Sequence, residues 1–232
     1  MQILKKNGII LFWMVLFLDS FFVYQQNLNF HFYSKILLMP ILMAYIFLNS
    51  RKNRFQRSKM LIFLGLTFAW IGDILLTQTG DTFFALGMVA FLGTHIFYSI
   101  FFYRVQPIAS TTNYETVIVA LIILTGLYAA MYNFMKLDIA AFPHFEIPVY
   151  IYAISIGIMA VFAANILSNR GKRNMAIQFF IPGAILFIIS DATIAIHKFK
   201  YVDMEFLGVI VMMTYGYAQC MLAQGFARYL KG

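Results

Sequence analysis

The chain has 232 residues, of which 62% are hydrophobic and only 11% carry a charge, and its mean hydropathy is +0.80. A soluble domain of ordinary composition is about 25% charged and at most about half apolar. This chain therefore has too few charges to cover a water-facing surface. The composition excludes disordered, collagenous and coiled-coil proteins and predicts an integral membrane protein.

The single cysteine, Cys220, excludes several kinds of site. An intrachain disulfide needs two cysteines, and zinc ribbons and iron–sulfur clusters need several. The net charge of +8 would suggest a nucleic-acid partner in a soluble protein. Here the basic residues stand in short loops between apolar runs, where membrane topology explains them. We expect no nucleic-acid partner.

Eight apolar runs are long enough to cross a bilayer, whose core of roughly 30 Å requires about 20 helical residues. They lie near 8–24, 33–49, 59–79, 82–103, 115–134, 147–168, 175–196 and 205–227. The first run follows two lysines, as in a secretory signal, but it lacks a small-residue cleavage site and contains Asp19. The turn-like Thr79-Gly80-Asp81 link predicts an antiparallel hairpin of the third and fourth helices. The predicted fold is an all-α, polytopic membrane helix bundle, a single eight-span domain over residues 1–232.

Charge asymmetry predicts the orientation of the bundle. Thirteen of the Lys and Arg residues fall on one side of the predicted spans and four on the other. By the positive-inside rule both termini are cytoplasmic. The expected location is the cytoplasmic membrane of a bacterium, and any chemistry must take place inside the bundle or at its mouth.

Charged side chains within the membrane cost about 2.5–3.5 kcal/mol each and are candidates for function. Asp73 lies 14 residues into the third span and Asp191 lies 16 residues into the seventh, which runs in the same direction. At a rise of about 1.5 Å per residue, these positions are roughly 21 and 24 Å from the cytoplasmic side. The two carboxyls are therefore predicted at one level of the outward half. Asp19 in the first span is ranked as a supporting residue at best.

Each of these two aspartates follows a small residue, Gly72 or Ser190, which allows a neighbouring helix or ligand to approach closely. Pro182 and Gly183 precede Asp191 in the same span, where they could kink the helix and open space beneath it. The alternative is that each carboxyl pairs with a polar side chain of a neighbouring helix and only fixes the packing.

Further polar residues fall on predicted inward faces. His95 shares a face of span four with Tyr98, and Tyr215 shares a face of span eight with Gln219. His95 is interpreted either as a substrate-orienting group or as a neutral histidine bonded between helices. His31, His144 and His197 are predicted in outer loops without ligand spacing, so no metal site is predicted.

The segments that carry these residues resemble the YhhN-like lysoplasmalogenase family of eight-span membrane proteins. They are Gly72-Asp73-Ile74-Leu75-Leu76, Phe91-x-x-x-His95-x-x-Tyr98, and Ser190-Asp191-x-x-Ile194-Ala195 with Lys198-Phe199. The resemblance implies hydrolysis of the vinyl-ether bond of lysoplasmalogens, which gives a fatty aldehyde and glycerophosphoethanolamine or glycerophosphocholine. It also implies that Asp73 and Asp191 are catalytic.

This chemistry fits two carboxyls in a bundle, because a vinyl ether hydrolyses by protonation at its β-carbon to give an oxocarbenium ion. One carboxyl must donate the proton and one carboxylate must stabilise the cation or activate water, as in glycosidases. The predicted substrate-binding residues are His95, Tyr98, Ser190, Tyr215, Gln219 and Lys198. Lys35, Lys198 and Lys200 are candidates for the phosphate head, although snorkelling to the interface also explains them. No metal or organic cofactor is required, and the oligomeric state stays open.

Three alternatives remain open. A proton-coupled transporter could use Asp73 and Asp191 as a proton relay, although no internal repeat is evident. A metal-dependent hydrolase could use His95 with both aspartates and would lose activity to chelators. A purely structural membrane protein would leave the common depth of the two carboxyls unexplained.

Overall fold

The computed structural model describes residues 2–50, 56–108 and 114–232, and these residues contain eight helices long and apolar enough to cross a membrane. In chain order they are α1 (Gln2–Tyr24), α2 (Leu28–Asn49), α3 (Gln56–Leu76), α4 (Asp81–Val105), α5 (Tyr114–Ala140), α6 (Pro143–Asn165), α7 (Arg173–Phe199) and α8 (Phe206–Lys231). Each predicted span corresponds to one helix, which confirms the all-α membrane bundle. Most helices extend beyond the predicted runs, because polar residues continue the backbone hydrogen-bond ladder past the apolar stretch.

Successive helices are antiparallel, so the connections at 25–27, 77–80, 141–142 and 200–205 lie at one end of the bundle, here called the hairpin end. The connection between α3 and α4 is the predicted tight turn, in which Gly80 has a φ of 108° that favours glycine. These two helices share one of the largest interfaces in the bundle. The side of the membrane on which the termini lie stays a prediction. Residues 51–55, which hold part of the basic charge on which that prediction depends, lie outside the described residues.

Helix α7 is irregular before it reaches Asp191. It begins with an α-helical turn (Arg173–Met175), continues as a π-helical segment (Ala176–Phe180), and becomes α-helical over Ile181–Phe199. The irregularity therefore precedes Pro182, whereas the sequence suggested a kink at Pro182 and Gly183. A Cβ atom on Gly183 would lie 2.8 Å from Leu222 of α8, so this position is closely packed and leaves no open space.

The helices are not equally buried. Helix α8 packs on α1, α2 and α7 and is the most buried span, whereas α5 is the least buried and packs mainly on α6 and more lightly on α7. The main buried core is built largely from aromatic and aliphatic side chains of the spans other than α5. Polar residues interrupt this core near the hairpin end, where both predicted carboxyls lie.

Candidate functional site

Asp191 on α7 belongs to a buried network with α4 and α6. Tyr152 donates its hydroxyl proton to Asp191 Oδ2 at 2.7 Å. His95 Nε2 lies 3.6 Å from the same oxygen, and His95 Nδ1 lies 3.0 Å from Ser155 Oγ. Ser155 in turn donates to the backbone carbonyl of Tyr152 at 2.7 Å. The predicted residues Asp191 and His95 are thus brought together, with two partners that the sequence did not single out.

Asp73 on α3 belongs to a second buried network, with α4 and α8. Tyr215 donates to Asp73 Oδ2 at 2.9 Å, and Gln219 Nε2 donates to the Tyr215 hydroxyl at 3.4 Å. Tyr98 donates to Gln219 Oε1 at 3.1 Å. Asp73 Oδ1 is buried and has no hydrogen-bond partner among the described residues. The four predicted residues of this network therefore do meet in space.

An aromatic wall, formed by Phe91 and Phe187, joins the two networks. The Tyr215 ring packs on Phe91 and on Phe187, with centroid distances of 5.7 and 5.6 Å. His95 packs on the Phe187 ring at 5.3 Å. The structure thus gives each carboxyl its own tyrosine partner. Gly72 makes this packing possible, because a Cβ atom there would lie 2.7 Å from the Phe91 ring.

Asp19, which was ranked from the sequence as a supporting residue at best, forms a third network. Its side chain is fully buried, and Asp19 Oδ1 accepts a 2.6 Å hydrogen bond from Ser34 and lies 2.9 Å from His31 Nδ1. His31 lies in the first turn of α2, so its predicted position in an outer loop is wrong, as it is for His144 in the first turn of α6 and His197 in the last turn of α7. Lys35, also buried on α2, and Asp19 both lie close enough to Asp73 to act on it electrostatically.

The remaining predicted residues lie apart from the two carboxyls. Ser190 is buried and donates to the backbone carbonyl of Val211 at 3.3 Å, which links α7 to α8. Lys198 lies at the hairpin end and donates to Asp81 at 2.7 Å. Lys200 donates to Asp138 at 2.8 Å on the surface formed with α5.

Two cavities that share lining residues lie at the hairpin end and at Asp191. A cavity of about 610 Å³, here called the hairpin-end cavity, has a partly polar lining that includes Gln26, Asn27, His31, Lys35, His197, Lys198 and Glu205. A small cavity of about 40 Å³ reaches Asp191 and Tyr152 and shares the lining residues Leu76, Phe84 and Ile194 with the hairpin-end cavity. Asp73 lines neither of these two cavities. About 8% of the Asp191 side chain is accessible, whereas Asp73 is 1% exposed.

The metal-ligand arrangement considered from the sequence is not formed. Within residues 2–50, 56–108 and 114–232, no group of three or more His, Cys, Asp and Glu side chains is placed to hold a metal ion. His95 lies beside Asp191, but Asp73 lies behind the aromatic wall with Tyr215.

Tyr152 and Ser155 are the principal members of the Asp191 network that sequence reasoning missed. They are three residues apart on α6 and therefore share one helix face. A polar pair at this spacing within an apolar span was the signal that could have identified them. His31 has the same relation to Ser34 on α2, and its assignment to a loop concealed it.

The fold and the site define an eight-span helical membrane protein with two buried carboxyls near one end of the bundle. Residues 30–226 match the sequence model of the YhhN family. Lysoplasmalogenase TMEM86A from Homo sapiens is 32% identical over 190 residues, which cover 80% of this chain and 74% of the relative, and the Bos taurus lysoplasmalogenase TMEM86A gives the same values. No solved structure shows a significant match.

The chain belongs to the YhhN family. The family match covers helices α2 to α8, the first and last of them in part, and it includes both predicted carboxyls. The names of the two mammalian relatives describe enzymes, which favours a hydrolase over the proton-coupled transporter that the same aspartates left open.

Proposed function

We propose that this chain is a lysoplasmalogenase-like ether hydrolase that cleaves the vinyl-ether bond of a lysophospholipid within the membrane. The products are a fatty aldehyde and glycerophosphoethanolamine or glycerophosphocholine. The observation that carries the proposal is the buried Asp191 carboxyl, which is bonded to Tyr152, faces His95 and lines a cavity. The names of the mammalian relatives supply the bond that this site would cleave.

Asp191 is the proposed proton donor because it is the carboxyl with access to a cavity. Its proton adds to the β-carbon of the vinyl ether and leaves an oxocarbenium ion beside the new carboxylate. A water molecule then adds to this cation and gives a proton back to the Asp191 carboxylate. The resulting hemiacetal breaks its C–O bond to glycerol, its hydroxyl proton moves to the glycerol oxygen, and aldehyde and a glycerol hydroxyl are left. Glycosidases use carboxyls in the same way around a similar cation. Tyr152 holds Asp191 Oδ2, so we assign the transferred proton to Oδ1.

Asp73 is the proposed second carboxyl, and the proposed role requires its ionised form. Burial opposes the ionisation of Asp73, whereas the hydrogen bond from Tyr215 and the nearby charge of Lys35 favour it. A fixed negative charge in a low-dielectric bundle stabilises a developing cation even without direct contact. Asp73 would act through the aromatic wall, whereas Asp191 would touch the substrate. In this scheme Asp73 supplies the fixed charge and Asp191 donates the proton.

The hairpin-end cavity is the proposed site of the polar head. Lys35 and Lys198 line it and could neutralise a phosphate diester, and His31 adds a hydrogen-bonding group. Glu205 lines the same cavity and could pair with the ammonium of ethanolamine or choline. Lys200, the third lysine suggested by the sequence, is paired with Asp138 and does not line this cavity. The membrane we expect to hold the protein is the cytoplasmic membrane of a bacterium.

The direct test is release of aldehyde from synthetic lysoplasmalogens by the purified protein in detergent micelles. We expect turnover that survives EDTA and falls by about 10²–10⁴-fold in Asp191→Asn, the usual contribution of a general acid. Asp73→Asn should also lower kcat, whereas the matched surface variant Asp138→Asn should not. Well-folded wild-type protein that releases no aldehyde with either head group would contradict the proposed substrate. Loss of activity to EDTA would contradict the two-carboxyl mechanism.

A further inference from the structure

A long apolar groove runs between α5 and α6 on the membrane-facing side of the bundle. It consists of a cavity of about 330 Å³ near the hairpin end and a second of about 450 Å³ further along α6. The two cavities share the lining residues Leu124, Tyr128, Ala153 and Gly157 and therefore adjoin one another, and together they are here called the α5–α6 groove.

The α5–α6 groove reaches the candidate catalytic carboxyl. Asp191 and Tyr152 line both its hairpin-end part and the small cavity that adjoins the hairpin-end cavity. Exposure of a carboxyl toward lipid is costly, and membrane proteins ordinarily turn such groups inward. A lipid-facing groove that leads to Asp191 therefore requires an explanation, which a ligand from the bilayer supplies.

The part of the groove beyond Asp191 is long enough for a hydrocarbon chain. The lining on α6 runs from Val149 to Phe162, and from Tyr152, the hydrogen-bond partner of Asp191, to Phe162 it covers ten residues. At a rise of about 1.5 Å per residue this stretch is roughly 15 Å. The hydrocarbon core of a bilayer is roughly 30 Å thick, so the stretch is comparable with one leaflet.

We infer that the α5–α6 groove binds the single hydrocarbon chain of the lysophospholipid, which enters sideways from the bilayer. This inference rests on the proposed function. The hydrocarbon chain would lie along α5 and α6, and the vinyl ether would lie at Asp191. The head would reach the hairpin-end cavity past Leu76, Phe84 and Ile194, which line both that cavity and the small cavity at Asp191. The groove would therefore determine which chain lengths place the bond at the carboxyl.

Two glycines provide a matched test of this assignment. A Cβ atom on Gly157 would meet no atom within 4 Å, although Gly157 lines both parts of the groove. A Cβ atom on Gly126 of α5 also meets nothing within 4 Å, but Gly126 lines neither part. A phenylalanine at either position therefore enters open space, and only the one at 157 occupies the groove.

The first experiment compares Gly157→Phe with Gly126→Phe on lysoplasmalogens of short and long alkenyl chains. In Gly157→Phe we expect the ratio of kcat/KM for long over short chains to fall at least about tenfold, because a blocked chain displaces the reacting bond from Asp191. Gly126→Phe should keep the wild-type ratio. An unchanged ratio in Gly157→Phe would overturn the inference.

The second experiment does not depend on turnover. A non-hydrolysable alkyl-ether lysophospholipid with a diazirine near the end of its chain is photolysed with the wild-type protein in vesicles, and the labelled peptides are mapped. We expect labels on α5 and α6 near Leu124 and Gly157, lost in Gly157→Phe and kept in Gly126→Phe. Labels confined to other helices would overturn the inference, even with normal turnover. Labels in the groove without any turnover would support the chain site and contradict the proposed hydrolysis.

Discussion

His95 Nε2 faces Asp191 Oδ2 across 3.6 Å, a separation too long for a hydrogen bond. The Ser155 hydroxyl gives its only proton to the Tyr152 carbonyl, so His95 Nδ1 must be the donor toward Ser155 Oγ. A neutral His95 then carries its proton on Nδ1 and presents the unprotonated Nε2 to Asp191. Nε2 has no other partner among the described residues. His95 can therefore accept a proton or orient a water molecule beside the carboxyl.

Removal of the Ser155 hydroxyl should release this constraint. In Ser155→Ala the buried Nδ1–H loses its acceptor, and we expect the free energy of unfolding to fall by about 1–3 kcal/mol. The ¹⁵N chemical shifts of the His95 ring should also change, since either tautomer becomes accessible. Unfolding in denaturant and NMR of labelled protein measure the two effects. Ser58→Ala is the control, because Ser58 is a buried serine near the start of α3. Unchanged His95 shifts in Ser155→Ala would refute the tautomer assignment.

Tyr152→Phe should slow turnover without loss of the fold. The variant removes the 2.7 Å hydrogen bond to Asp191 and keeps the ring that packs on His95 at 5.0 Å. A hydrogen bond to a charged group contributes about 1.5–3 kcal/mol, so kcat should fall roughly tenfold to a hundredfold. Aldehyde release measures the effect. Tyr103→Phe, at an exposed tyrosine on α4, should retain wild-type activity, and equal rates in the two variants would argue against a role for Tyr152.

Asp19→Asn tests whether the third network stabilises the fold. The substitution keeps the shape of the side chain but weakens its hydrogen bonds with Ser34 and His31. Because Asp19 is fully buried, we expect a loss of about 1–3 kcal/mol in the free energy of unfolding. Denaturant titration in micelles measures it. Asp203→Asn, in the exposed connection between α7 and α8, should have no effect, and a stable Asp19→Asn variant would show that the network is dispensable.

Lys35→Met should weaken substrate binding. Lys35 lines the hairpin-end cavity, where the phosphate head is proposed to bind, and methionine preserves much of its apolar stem. We expect KM to rise about tenfold, the equivalent of one lost charge-assisted hydrogen bond of roughly 1.4 kcal/mol. Initial rates over a series of lysoplasmalogen concentrations measure the change. Lys200→Met removes a lysine that is paired with Asp138 outside this cavity and should leave KM unaltered. A similar rise in both variants would point to a nonspecific effect of surface charge.

Helix count was accessible from the sequence because it depends on hydropathy and on the length of helix that crosses a bilayer. Tyr98, Tyr215 and Gln219 were also accessible, since helical periodicity places them on polar faces, and in the structure they form the hydrogen-bonded chain to Asp73. Periodicity gives the face of a helix. It does not give the helix that the face meets.

The partners of the two carboxyls could not be deduced for that reason. Their predicted common depth suggested a pair that acts together directly, but Tyr152 of α6 bonds Asp191 and Tyr215 of α8 bonds Asp73. Phe187 of α7 packs on a ring of each network. The position of His31 was inaccessible for a different reason. The polar segment before residue 33 resembles a loop, but Asn27 caps a helix there by accepting a hydrogen bond from the Phe30 backbone N–H, and His31 pairs with Asp19.

Helix α5 has little contact with the rest of the bundle, although it forms one wall of the α5–α6 groove. Between apolar helices in lipid there is no hydrophobic driving force, so packing of this kind holds α5 only weakly. If the groove is the chain site proposed above, the lipids that pack on the outer face of α5 would help to set its width. Bilayer thickness would then affect specificity, and the same protein would rank its substrates differently in thin and in thick membranes.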